Sequence, residues 1–188
     1  MDDLVGTQVP TRRLTDPAEA LQALERAIPG LVQHRRAVPL PIDWTLVEQA
    51  LGCMPPGDYR LLAELYPTLH VGDYLGIWLP KPGSEHLMCW DEEDLDILQE
   101  WCEDSGLPGL YTYPEPGGLL PWAASNQGDY FLWTTADPNS DNWTVTVASR
   151  SFAWWHYEGG MVQFLAELVD GTLEPWALPP VTPEVEAS

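Results

Sequence analysis

The clearest pattern of apolar and polar residues lies between residues 119 and 133, where two apolar runs flank a short polar break. The apolar runs are residues 119–124 and 130–133, and the break is residues 125–129. Two apolar runs joined by a short segment that contains glycine are typical of a β-hairpin. Gly128 can take the positive φ that such turns often need, and Asn126 tolerates it well. We therefore predict a hairpin here, in which Asn126, Gly128 and Asp129 shape the turn.

Two further strand patterns and a helix follow the hairpin. Residues 143–148 alternate strictly between large apolar and small side chains, and residues 152–157 form an aromatic run. Because short polar breaks join the four runs, we predict an antiparallel meander. From about Gly160 onward, apolar residues recur at helical spacing, which predicts a helix packed on one face of the meander. Its apolar stripe is Met161, Phe164, Leu165, Leu168 and Val169.

The first half of the chain is dominated by helical spacing. Asp16 and Asp43 precede two helices as N-cap residues, and Gly52 is placed as a C-cap glycine. A third helix is predicted to end before Pro67. A fourth, over residues 91–104, begins with four acidic residues and directs Leu95, Leu98, Trp101 and Cys102 inward. Between the third and fourth helices, residues 77–79 are predicted to form a strand.

These elements predict an α+β domain with N-terminal helices, a central antiparallel meander and a C-terminal helix packed on the sheet. We divide the chain into residues 1–38, a lead and helical arm; residues 39–172, the α+β domain; and residues 173–188, a proline-rich acidic tail. Residues 1–15 show no period and are expected to be a loose lead. The tail is expected to be extended or disordered.

The net charge of −21 is concentrated in one part of the chain. Residues 1–60 hold eight acidic residues against six arginines, a balance of −2, whereas residues 61–188 hold twenty-one against Lys81 and Arg150, a balance of −19. Such a field repels nucleic acid and anionic membranes, and it attracts a basic partner. Solubility alone is the competing explanation, since acidic surfaces are common.

Cysteine usage and the first residues indicate a compartment. The three cysteines, Cys53, Cys89 and Cys102, are odd in number and irregular in spacing, which favours a reducing environment over a disulfide framework. Residues 1–10 carry two acids and lack the apolar region of a secretory signal. No apolar run approaches the roughly 18 residues that a membrane span needs. We therefore expect a cytoplasmic protein.

Candidate catalytic and metal-binding residues are few. None of the four histidines, which include His156 in the last strand, is at a recognised spacing from a nucleophile. His86 and Cys89 form an H-x-x-C pair, half of a zinc site, but no second pair follows. The chain lacks G-x-S-x-G, H-E-x-x-H, G-x-x-x-x-G-K and G-x-G-x-x-G. We predict no catalytic residue, no metal site and no cofactor. Aromatic residues interleaved with acids favour a protein interface over a nucleic-acid one.

An ordered set of motifs resembles the SUKH superfamily, which contains fungal cell-wall assembly regulators and bacterial immunity proteins. W-x-x-V-E-x-x-L-G at 44–52 and M-P-P-G-D-Y-R-x-L at 54–62 resemble the family's opening signature. L-L-P-W at 119–122, N-x-G-D at 126–129, Trp133, W-T-V at 143–145 and F-L at 164–165 resemble its second half. The chain departs from the family in the spacing of residues 53–57, and residues 1–38 have no counterpart. The resemblance implies a non-enzymatic α+β binder that, in bacteria, neutralises a toxin, often a nuclease or deaminase.

Three functions follow from these observations. The first is a SUKH-type immunity or interaction protein whose acidic face covers a basic toxin. The second is a regulatory scaffold that joins endogenous partners. The third is a small metal-dependent hydrolase that uses scattered acids and His86. For the first, we predict a contact site on acids around the sheet and on the acidic helix, with one of two adjacent tryptophans exposed as an anchor. The predicted residues are Asp129, Asp137, Asp141, Glu158, Glu93, Asp96, Glu100, and Trp154 or Trp155.

Overall fold

A computed structural model describes residues 4–88 and 92–187, with side chains for residues 6–88 and 95–187. Within these residues the helices are α1 (Pro17–Ala27), α2 (Trp44–Leu51), α3 (Gly57–Leu65), α4 (Glu92–Ser105) and α5 (Met161–Asp170). The strands are β1 (Leu4–Gln8), β2 (Leu69–Val71), β3 (Leu75–Ile77), β4 (Leu119–Ser125), β5 (Tyr130–Thr134), β6 (Thr144–Ala148), β7 (Trp154–Tyr157) and β8 (Val185–Ala187). Both kinds of element contribute to an α+β fold, as predicted.

The strands form one mixed sheet in the order β1-β7-β6-β5-β4-β3-β2-β8. Strands β4 to β7 are neighbours in chain order and antiparallel, which confirms the predicted meander. Only the β1–β7 pair, among the described strands, is parallel. None of the described helices is long and apolar enough to cross a membrane.

The two ends of the described chain form the two edges of the sheet. The lead that was expected to be loose contains β1, which pairs with β7, and the tail contains β8, which pairs with β2. Neither strand has an apolar period of its own, because backbone hydrogen bonds to a preformed sheet hold it. The side chain of Gln8 also exchanges two hydrogen bonds with the backbone of Glu174, at 2.8 and 3.0 Å. The edge at β1 is therefore tied to the segment that follows α5.

The larger core lies between one face of the sheet and the helices α1, α3 and α5. Helix α1 packs against α3 and α5. Phe164 of α5 lies among the sheet aromatics, with its ring centroid 6.1 Å from that of Trp122 and 5.8 Å from that of Trp155. This contact confirms that the C-terminal helix packs on the meander. It also makes α1 part of the same core, since Leu21 and Leu24 are buried in it.

A second, smaller core lies on the opposite face of the sheet, beneath α4. Leu98 and Cys102 of α4 pack with four strand residues: Leu119, Leu132, Ala148 and Trp154. These strand residues alternate with those of the larger core, as Leu132 does between Phe131 and Trp133. Both faces of the meander are thus covered, which explains why its strands are apolar in continuous runs.

Local signals placed most helix ends correctly. The carboxylates of Asp16 and Asp43 accept hydrogen bonds from the first turns of α1 and α2, and Gly52 ends α2 at φ +79°. The strand predicted over residues 77–79 is placed differently. The chain after α3 forms a hairpin of two strands, β2 and β3, and the second of these ends at residue 77. Gly76 lies opposite His70 in this hairpin. A side chain at Gly76 would meet the His70 ring at 3.3 Å, so glycine suits this close cross-strand pair.

Candidate protein-binding surface

Helix α4 presents an outward stripe in which apolar and acidic residues alternate. Ile97, Glu100, Trp101 and Asp104 are spaced at i, i+3, i+4 and i+7 and therefore share one side of the helix. Ile97 is 37% exposed, Trp101 is half-buried, and both acids are exposed. The inward side carries Leu98. The helix thus combines anchoring side chains with charge on its solvent side.

Two aromatic residues of the sheet extend this stripe. The ring of Trp101 lies 5.6 Å from that of Tyr130 on β5 and 5.5 Å from that of Phe152, in the turn between β6 and β7. Phe152 is 43% exposed. We call the set Ile97, Trp101, Tyr130 and Phe152 the apolar patch. Phe152 is exposed, whereas Trp101 and Tyr130 are half-buried. Aromatic residues with accessible surface are frequent anchors of protein interfaces.

The backbone of Phe152 has the left-handed conformation, at φ +64°. This conformation costs a bulky L-residue about 1–2 kcal/mol, and glycine usually occupies it. The turn is nevertheless well defined, because the Phe152 amide donates to the Ser149 carbonyl at 2.8 Å. The Ser149 hydroxyl in turn donates to the Ala177 carbonyl at 3.2 Å. The turn therefore holds an exposed aromatic side chain at a position that favours glycine.

Asp129 fixes this turn to the neighbouring ones. Its carboxylate accepts hydrogen bonds from the Tyr74 and Ser125 hydroxyls, both at 2.6 Å, and from the Arg150 amide at 2.9 Å. It thereby joins the β2–β3, β4–β5 and β6–β7 turns. The residue is only 2% exposed, so its prediction as an exposed contact residue is wrong. Its carboxylate is used within the protein, which agrees with the predicted role in shaping the turn.

Three acids of α4 whose side chains the structure describes, Asp96, Glu100 and Asp104, form no ion pair with another described residue. In the described part of the chain, ion pairs join Arg12 to Glu19 and Arg35 to Glu25, both in the first 35 residues. Asp96, Glu100 and Asp104 are in neither pair, and all three are exposed. The predicted contact residues Asp96 and Glu100 therefore lie on the same surface as the apolar patch. The side chain of Glu93, also predicted, lies outside the described residues.

The remaining predicted acids lie elsewhere, around Arg13. The Arg13 guanidinium donates to the backbone carbonyls of Asp141, Trp143 and Glu158, at 3.2, 2.8 and 3.5 Å. The Asp141 carboxylate accepts from the amide of Gly57 at 2.7 Å, at the start of α3, where carboxylates are favoured. Asp137 is half-buried and accepts within its own turn. The structure does not bring these three acids to α4.

The predicted tryptophan anchors are not exposed. Trp154 and Trp155 are both 0% exposed, because the two faces of β7 are covered by different cores. Trp155 lies in the larger core and Trp154 beneath α4. The prediction that one of the two is exposed is therefore wrong. It assumed that one face of the sheet is open to solvent.

A polar trough of about 580 Å³ lies beside β1, β6 and β7. Two of its lining residues, Thr134 and His156, are joined through Thr146, whose hydroxyl lies 2.7 Å from that of Thr134 and 2.6 Å from Nδ1 of His156. Burial lowers the pKa of His156, which favours the neutral imidazole. Arg12 and Arg13 also line the trough, but their guanidinium groups are taken up by Glu19 and by carbonyls. These hydroxyl and imidazole groups thus satisfy one another across three strands.

No metal-binding cluster, meaning three or more His, Cys, Asp or Glu side chains suitably arranged, occurs among the described residues. Cys89 of the H-x-x-C pair lies outside them. His86 lies within the short 3-10 turn at residues 85–87 and is exposed.

Sequence reasoning missed Phe152 and Ile97. Trp101, which was predicted to face inward, is half-buried and packs against the smaller core beneath α4. A helical projection could have identified Ile97. Leu98 and Cys102 form the buried row, and Ile97 and Trp101 form the adjacent row, in which Ile97 is exposed and Trp101 is half-buried. The exposure of Phe152 depends on turn geometry, for which the sequence offers no marker.

No family model, curated protein or solved structure matches this chain. The resemblance to the SUKH superfamily therefore stays a prediction, and the surface on α4 is interpreted from its own chemistry.

Proposed function

We propose that this chain is a non-enzymatic protein-binding module that neutralises a basic toxin by direct binding through the outer face of α4. The observation that carries the proposal is the partly exposed apolar patch next to Glu100 and Asp104, which form no ion pair within the described part of the chain. A partly exposed aromatic cluster favours burial by a partner, and the acids select a partner of positive charge.

The charge distribution supports the same kind of partner. The balance of −19 over residues 61–188 would accelerate the approach of a basic protein and repel acidic ones. Toxins that act on nucleic acid need basic binding surfaces, because they contact phosphates. An acidic protein that covers such a surface also blocks its substrate. The resemblance to SUKH immunity proteins implies the same role.

The internal use of reactive groups supports a binding role over an enzymatic one. The buried carboxylate of Asp129 is committed to three turns, and His156 is committed to a threonine ladder. In each case the hydrogen bonds stabilise the sheet.

Co-expression with a basic toxin from a neighbouring gene of the same operon tests the proposal. We expect growth to be rescued and a complex to be isolated whose affinity falls steeply as salt is raised, since charge steers it. The informative variant is Asp96→Asn/Glu100→Gln/Asp104→Asn, which neutralises the outer stripe. A matched control, Glu48→Gln/Glu115→Gln/Glu184→Gln, removes three exposed charges elsewhere. We expect the first variant to lose at least tenfold in affinity and the control to lose much less.

Continued toxicity without a complex would refute the proposal. Equal losses in both triple variants would show that net charge acts without a defined surface. An operon without a toxin gene, together with endogenous partners that bind the same face of α4, would favour the regulatory scaffold.

A further inference from the structure

Phe152 combines three properties. It has a left-handed backbone, it is 43% exposed, and its ring packs on that of Trp101 at 5.5 Å. A structural role alone would be served better by glycine, which adopts this backbone without strain. Strained residues persist where the surrounding structure holds them for another purpose. The hydrogen bonds of Ser149 and Asp129 hold this turn in place.

The acids next to this aromatic pair define the chemistry of a ligand. Asp104 follows Trp101 by three residues and Glu100 follows Ile97 by three, so both carboxylates lie beside the apolar patch on the same side of α4. An aromatic face next to carboxylates fits a planar cation. A guanidinium group can stack on the ring and pair with the carboxylate at once, whereas an ammonium group forms only a point contact.

We propose that Phe152 and Trp101 form an arginine-binding site, in which an exposed arginine of the basic partner protein stacks on the aromatic pair and pairs with Asp104 or Glu100. The inference rests on the proposed function, and it adds the residue type that the partner supplies. The proposed ligand is an arginine-bearing protein segment, because its positive charge complements the acids of the stripe on α4. A lysine in the same place would gain the charge attraction without the stacking.

Two labelled peptides, hexa-arginine and hexa-lysine, test the site without a known partner. Binding to the full chain is measured by fluorescence anisotropy at low salt. Both peptides are attracted by the net charge, so the informative quantity is the ratio of their dissociation constants. We expect Phe152→Gly to weaken hexa-arginine binding by about two- to fivefold and to leave hexa-lysine binding nearly unchanged. The control Leu46→Ala removes an exposed aliphatic group, 40% exposed, on α2. It should change neither constant.

Urea unfolding of the same variants separates binding from folding. Because glycine relieves the left-handed strain, Phe152→Gly should unfold at a urea concentration at least as high as the wild type. A lower midpoint would show that the ring is needed for the fold and would overturn the inference.

The remaining outcomes distinguish this inference from the proposed function. If Phe152→Gly weakens both peptides equally, or neither, arginine stacking is excluded while basic binding by α4 stands. If the wild-type chain binds neither peptide and no basic toxin, the proposed function fails and this inference fails with it. With the toxin as ligand, Phe152→Gly should reduce affinity by a similar factor, and replacing the contacting arginine of the toxin with lysine should give no further loss in that variant.

Discussion

Replacing the buried Asp129 with alanine should strongly reduce the free energy of unfolding. The change removes the acceptor of three hydrogen bonds, from the Tyr74 and Ser125 hydroxyls and the Arg150 amide. A hydrogen bond to a charged group contributes about 1.5–3 kcal/mol net, and an orphaned buried donor costs about 1–3 kcal/mol. Because the three bonds share one acceptor, their contributions do not add fully, and we expect a loss of about 3–5 kcal/mol in the free energy of unfolding.

The assay is urea unfolding followed by tryptophan fluorescence, with the free energy extrapolated to water. Asp137→Ala is the control, since Asp137 accepts a local amide in its own turn and should cost about 1 kcal/mol or less. The double variant Tyr74→Phe/Asp129→Ala adds a second test. Removing the Tyr74 hydroxyl along with its acceptor leaves no orphan there, so the double variant should cost about 1–2 kcal/mol less than the sum of the single changes.

A cost below about 1 kcal/mol for Asp129→Ala would refute the reasoning, because it would mean that the three bonds are replaced by water at no penalty. Strict additivity of Tyr74→Phe and Asp129→Ala would refute it as well. Because the Arg150 amide belongs to the turn that carries Phe152, the same variant should also weaken partner binding beyond its effect on the folded fraction.

Three further predictions concern the helices and turns. Leu98→Ala should cost about 2–5 kcal/mol in unfolding free energy by opening a cavity beneath α4, whereas Ile97→Ala, at an exposed position, should cost less than about 1 kcal/mol; urea unfolding compares the two. Burial raises the pKa of Asp58, whose carboxylate caps α5, so its stabilising protonated form is lost as pH rises through the folded-state pKa. Asp58→Asn should therefore gain stability relative to the wild type as pH rises above about 3.9, the ordinary pKa of an aspartate, in parallel denaturation curves, and a constant difference would contradict this. Gly52→Ala should lower the melting temperature more than Gly83→Ala. At both positions alanine would have a positive φ, which costs about 1–2 kcal/mol, but only at residue 52 would the added Cβ meet a side chain, the Tyr113 hydroxyl at 2.7 Å. Equal shifts in melting temperature would argue against this contact.

Most helix ends and the meander could be predicted because their signals are local. Asp16, Asp43 and Gly52 act within one helical turn. The apolar runs of β4 and β5 and the alternation of β6 are likewise contained within each strand. The edge strands β1 and β8 could not be predicted in this way. Their partners, β7 and β2, are more than 100 residues away in the chain. The three to five residues of an edge strand carry no sequence pattern that identifies so distant a partner.

The candidate surface was predicted only in part, for a different physical reason. Charge identified the acids of α4, because carboxylates such as Asp96 and Glu100 stay exposed unless they are paired. Exposure of aromatic residues is a property of packing. Trp154 and Trp155 look like surface candidates from alternation alone, yet a helix covers each face of β7. Phe152 looks like a strand residue and lies in a turn.

The pairing of β1 with β7 sets an order for biosynthesis. Leu4 pairs with Trp154, a residue 150 positions later in the chain. At a translation rate of about 5–20 residues per second, the first strand waits roughly 8–30 s on the ribosome before its partner has been made. Its exposed backbone is available to chaperones or to other nascent chains during that interval. The sheet can therefore close on this side only late in synthesis, and the yield of native protein should depend on the speed at which residues 9–154 are translated.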